Sequence, residues 1–122
     1  MCQVFENVNQ GGVSLTVFEL VTATFAASNF ELRKDWEAIW KELSKYRQLY
    51  HTRIQAFTGT DFLTAITLLA SYSRYSQGIS KAVSCKKRDV LKLTFEEYTQ
   101  YRSQMIYGIK EAVKFHLRLQ TS

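Results

Sequence analysis

Apolar positions recur along this chain at helical spacing, and most recurrences follow a capping signal. Residues 17–27 are apolar nearly all round (Val17, Phe18, Leu20, Val21, Ala23, Phe25, Ala26, Ala27), which predicts a helix buried on most sides. Thr16 and Glu19 have capping-box spacing: the threonine oxygen accepts from the third helical amide, and the glutamate accepts from the threonine's own amide. Ser28 and Glu31 repeat it. A second helix is therefore expected from residue 29 to about residue 50, with Trp36, Ile39, Trp40, Leu43 and Tyr46 inward and Arg33, Lys34, Glu37, Lys41 and Lys45 outward. The pattern breaks at Phe57-Thr58-Gly59-Thr60. Thr60 or Asp61 can then cap a third helix through Phe62, Leu63, Ile66, Leu69, Ala70 and Tyr72.

Residues 76–84, with Gly78 and three serines, read as a loop, and residues 86–92 as a short helix. Thr94 and Glu97 form a third capping box. It opens a long helix to about Leu119 with the stripe Tyr98, Tyr101, Met105, Gly108 or Ile109, Ala112, Phe115 and Leu119. At the start of the chain, Val4, Phe5 and Val8 make a short helical stripe that stops at Asn9-Gln10-Gly11-Gly12. Residues 1–9 are thus expected to be the end of a helix lacking its front. Since so short a helix is marginal alone, this suggests a fragment. The expected fold is all-α, a bundle of four to six helices with a long C-terminal helix, over a single domain of residues 1–122.

Composition strengthens the helical reading. Proline is absent, where about 5% usage would place roughly six, and glycine occurs five times. Apolar residues are 46% of the chain and charged residues 22%, the balance of a globular domain rather than a disordered one. No run of about 18 apolar residues suggests a membrane span. Cys2 and Cys85 lie far apart and no signal peptide is evident, so a cytoplasmic setting with both thiols free is expected. His51 and His116 have no companion at ligand spacing, so no metal site is expected.

Charge is uneven. Residues 1–42 carry −3 and the remainder +8 within a net +5. A basic half is compatible with nucleic acid, and equally with a solvated helical surface. Lys86, Lys87 and Arg88 are candidates for DNA phosphates; their position at a helix start, where positive charge is unfavourable, would favour a nearby anion. The competing reading is a solvated charge run. Cys85 beside Lys86 and Lys87 has the setting of an activated thiol but no evident histidine partner. Trp36, Trp40, Tyr46 and Tyr50 could stack on bases, yet their helical spacing fits core packing better. Glu96 and Glu97 face different sides of a helix and form no carboxylate pair.

Phe5, Asn9, Gly12 and Leu15 make F-x-x-x-N-x-x-G-x-x-L, followed by Phe18-Glu19-Leu20. This pattern resembles the second motif of the S domain of GmrSD-type restriction enzymes, a ParB- and sulfiredoxin-related domain. The run from Gly11-Gly12-Val13 to Val21-Thr22-Ala23, the segment Leu32-Arg33-Lys34-Asp35-Trp36, and Val83-Ser84-Cys85-Lys86-Lys87-Arg88-Asp89-Val90-Leu91 are similar to the same family in the same order. The resemblance implies nucleotide-dependent restriction of foreign DNA, with NTP and Mg2+ used by the full-length family. It makes Asn9, Gly11 and Gly12 nucleotide-pocket candidates, against the simpler reading of a helix C-cap.

The family's nucleotide chemistry is attributed to an Asp-Gly-Gln-Gln-Arg motif, which this sequence lacks. The expectation is therefore a helical scaffold with no catalytic residue and no cofactor of its own. Its expected partners are a ParB-like N-terminal part and a nuclease half, with DNA as a further candidate, self-association through exposed apolar surface and no membrane. The alternative is a free-standing helical module that binds DNA or regulates a partner.

Overall fold

Thr16 accepts a hydrogen bond from the Glu19 amide at 3.0 Å, and its own amide donates to the Glu19 carboxylate at 3.2 Å, so the first predicted box forms. The computed structural model describes residues 8–10, 13–49 and 57–121, with side chains over 15–46 and 57–115. Among the described residues five helices follow one another: α1 (Val17–Ala26), α2 (Leu32–Leu49), α3 (Gly59–Ser76), α4 (Lys87–Leu91) and the long α5 (Phe95–Thr121). The fold is all-α, as its periodicity predicts.

One small element departs from this. β1 (Val8–Gln10) and β2 (Val13–Leu15) pair antiparallel, with Val8 opposite Leu15, Asn9 opposite Ser14 and Gln10 opposite Val13. Residues 8 and 9 are strand, not the end of a helix. Two glycines between short runs containing β-branched residues are also a hairpin signal, and here it outweighs the helical spacing. Residues 1–7, Gly11 and Gly12 lie outside the described residues.

α1 buries one stripe, Val17, Val21 and Phe25, rather than most of its sides; Ala23 and Ala26 are exposed. It closes through Asn29, whose φ is 58°, with the Asn29 amide on the Ala26 carbonyl and the Phe30 amide on the Phe25 carbonyl. These are the two bonds of a Schellman closure, with asparagine in the left-handed position. Ser28 falls inside that closure and does not cap, so α2 starts three residues later than its spacing suggests. Capping of α3 also differs from expectation. Thr58 is the cap and Asp61 its box partner, at 3.1 and 2.9 Å. Gly59 starts the helix against α1, where an added β-carbon would come within 2.6 Å of the Phe18 ring. The buried hydroxyls of Thr64 and Thr67 donate to the Thr60 and Leu63 carbonyls, each at 2.8 Å, so they enter the core without an unmet bond.

On α5, Tyr98, Ile106 and Val113 are buried, and Tyr101, Met105 and Ile109 pack beside them. Ala112 and Phe115 point outward, contrary to the predicted stripe. That stripe follows a 3.5-residue spacing, which lags a straight 3.6-residue helix by about 20° per heptad. Tyr72, placed inward by its spacing, is also exposed.

The core is aromatic at its centre. Phe25 meets Tyr98 edge-on at 5.4 Å between centroids, Phe30 lies 4.9 Å from Phe95, and Trp36 lies 5.3 Å from Phe62. Tyr98 is 0% exposed, so its hydroxyl needs a partner. It donates to Asp35 Oδ2 at 2.6 Å, while Arg102 grips the same carboxylate through Nε at 2.7 Å and Nη2 at 2.9 Å. Arg74–Glu97 and Lys110–Glu42 join α5 to α3 and α2.

Replacing Asp35 by Ala orphans both Tyr98 and Arg102, and should lower the unfolding free energy by about 2–3 kcal/mol in urea titrations, against about 1 kcal/mol for Tyr98→Phe. Burial and the neighbouring Asp35 carboxylate push the Tyr98 phenol well above its ordinary pKa of 10.0. Above that ordinary value the unfolded chain binds fewer protons than the native one, so this contribution is full below it and falls as pH rises further. Tyr98→Phe should flatten the alkaline limb of a stability–pH curve.

Candidate functional site

Asn9, the described member of the nucleotide-pocket trio, sits on β1 opposite Ser14. Gly11 and Gly12 lie outside the described residues. An open surface depression is lined by Thr22, Ala26, Asn29, Phe30, Glu31, Arg33 and Lys34, at the closure of α1 and the start of α2. Of the described sequence candidates, none lines it.

The basic trio lies where α4 begins. Lys86 immediately precedes the helix and is exposed, as is Arg88, while Lys87 is half-buried. The Lys86 amide donates to Asp89 Oδ2 at 2.9 Å, and the Ser84 hydroxyl donates to the same oxygen. Burial pushes the Asp89 carboxyl upward, but those two bonds and the charges of Arg88 and Lys92 outweigh it and hold the group below its ordinary value. An acid of the same element thus already serves the amide end of α4. With five residues, the helix adds little dipole of its own. The positional argument for an external anion is thereby withdrawn, and what stands is the open charge of Lys86, Arg88 and Lys92. The segment is held to α3 by the Ser84 amide, which donates to Ser71 Oγ at 2.8 Å.

Cys85 is 1% exposed and disulfide-bonded. This corrects the expectation of free thiols and removes the nucleophile reading, because no thiolate is present to attack. The chain's other cysteine, Cys2, lies outside the described residues, as do His51 and the side chain of His116. Among the described residues no group of three or more His, Cys, Asp or Glu is placed to hold a metal ion.

The aromatic candidates are structural. Trp36 packs on Trp40 and Phe62, and Tyr46 lies under the ammonium groups of Lys110 and Lys114 at 5.5 and 5.6 Å; Tyr50 lies outside the described residues. Glu97 caps α5 and pairs with Arg74, and Glu96 is exposed. Sequence reasoning missed the Asp35–Tyr98–Arg102 cluster and the Glu42–Lys110 pair. Asp35 lies 63 and 67 positions from Tyr98 and Arg102, and Glu42 lies 68 from Lys110, beyond the reach of any local spacing rule.

The chain matches no known family, no curated protein and no solved structure.

Asp89 supports folding above its ordinary pKa of 3.8, and that support is lost as pH falls through its lower native value. Asp89→Asn should therefore cost about 1 kcal/mol at pH 7 and progressively less towards acid, read from thermal melts over a pH series. Maleimide should leave Cys85 unlabelled in the unreduced protein, and reduction should lower stability by about 2–4 kcal/mol.

Proposed function

We propose that this chain is a helical scaffold, the helical portion of a GmrSD-type S domain in nucleotide-dependent DNA restriction. It positions partner polypeptide and does not itself carry out chemistry. The observation that carries the reading is the use made of the described charges that lie between helices or at their ends. Asp35 is committed to Tyr98 and Arg102, Glu97 to Arg74, Glu42 to Lys110 and Asp89 to the turn before α4. Groups spent on holding helices together are poorly placed to act as acid, base or nucleophile. In this reading NTP and Mg2+ bind to a ParB-like part bearing Asp-Gly-Gln-Gln-Arg, the nuclease half cuts, and Asn9 to Gly12 contribute one wall of the pocket.

Restriction acts in the cytoplasm, and that is the compartment we assign. No described helix is long and apolar enough to cross a membrane. Because a disulfide is uncommon in a reducing compartment, thiol titration of the Cys85 bond in freshly lysed cells bears directly on the assignment.

The scaffold reading expects no NTP hydrolysis by the purified chain, and co-elution with a separately expressed ParB-like part that restores turnover. Hydrolysis by the chain alone, or no association with that part, would overturn it. The open charge of Lys86, Arg88 and Lys92 favours a second reading, in which the module itself contacts DNA phosphates. Replacing Lys86, Lys87 and Arg88 together by Ala should then reduce the slope of log affinity against log salt by about 2–3. An unchanged slope removes that reading.

A further inference from the structure

One face of α3 is apolar and uncovered. Ala65, Leu68, Tyr72 and Tyr75 recur at three- and four-residue steps and so share a stripe on the side of α3 opposite the buried Phe62, Ile66 and Ala70. Leu68 is 42% exposed, Tyr72 58% and Tyr75 49%. Past the helix, Gly78 takes φ of 77° and the Ile79 amide bonds the Arg74 carbonyl, which turns the chain and leaves Ile79 69% exposed; Val83 is 40% exposed. From Phe62 to Ser73 the sequence contains no charged residue. Isolated exposed apolar side chains are ordinary, but an uncharged stripe of this length marks an interface.

We infer that this face pairs with the same face of a second copy of the chain, with the two α3 helices antiparallel across a two-fold axis. Three features argue for a copy. First, the stripe is self-complementary about its midpoint between Leu68 and Tyr72. Antiparallel pairing sets two large side chains, Leu68 and the partner's Tyr72, against each other beside the axis, and the small Ala65 opposite the partner's Tyr75, so that bulk meets space in the outer layers. Second, it opposes the two helix dipoles. Third, the exposed apolar surface is roughly 500 Å2 per molecule, so a pair buries on the order of 1,000 Å2, the lower bound for a specific contact. The surface stands independently of the restriction reading, which can fail without affecting it.

Sedimentation equilibrium of the full chain should show a monomer–dimer equilibrium with a dissociation constant of about 1–100 µM. Tyr72→Lys should raise that constant at least about tenfold while leaving the thermal midpoint of the monomer unchanged, since Tyr72 lies outside the core. Ala65→Tyr opposes two tyrosines and should weaken the dimer by about tenfold or more; adding Tyr75→Ala should restore it to within about threefold. A wild-type monomer at about 500 µM overturns the inference, as does a dimer indifferent to Tyr72→Lys. Failure of Tyr75→Ala to rescue Ala65→Tyr overturns the antiparallel register.

Discussion

Tyr98 is the residue at which the helices meet. Its ring closes the aromatic cluster with Phe25 of α1 and Phe62 of α3, while its hydroxyl reaches across to Asp35 of α2. A fully buried phenol is tolerated only with an acceptor, and an acid in that position is tolerated only with a cation. Arg102, one turn further along α5, supplies the cation through two parallel bonds. Three side chains thus set the rotation of α5 about its axis and its register along α2. A uniformly oily interface would leave both free to slide.

That constraint decides where the remaining chemistry can be. Glu97 and Lys110 flank the cluster on α5 and are themselves drawn into interhelical pairs. Besides the charged outer face of α2, with Arg33, Lys34, Glu37, Lys41 and Lys45, the molecule presents outward an uncharged stripe on α3 and a basic rim around α4. The bond from the Ser84 amide to Ser71 ties the second to the first, so the apolar and the basic surfaces are parts of one region. A scaffold that offers oil beside positive charge is suited to packing against polypeptide near an anionic ligand.

Local signals were read with uneven success, and the misses have a common cause. Thr16 with Glu19 and Thr94 with Glu97 cap as their spacing indicates, because a capping box is closed within four residues. Ser28 with Glu31 has the same spacing and does not, since Asn29 is taken by the closure of the preceding helix. α3 is capped by Thr58, ahead of the expected Thr60 or Asp61, because Gly59 opens the helix and lets it approach Phe18. In the hairpin, Asn9-Gln10 followed by two glycines satisfies either a helix end or a strand end, and pairing of Asn9 with Ser14 decides between them.

By itself the sequence determined that the chain is helical, roughly where its helices lie, and that α5 is long, because propensity, capping and periodicity act over a single turn. The inner face of α2 was legible in the same way, but only the tertiary structure decided which apolar residues of α1, α3 and α5 are left outside. Leu68 is as apolar as Leu63, and Tyr72 and Tyr75 carry large aromatic rings, yet they lie outside while Phe62, Leu63 and Ile66 lie inside. The distinction comes from what packs on them, and from Asp35, Tyr98 and Arg102, which find one another across more than 60 residues of chain. Contacts at that separation are selected by the assembled core, and no spacing rule contains them.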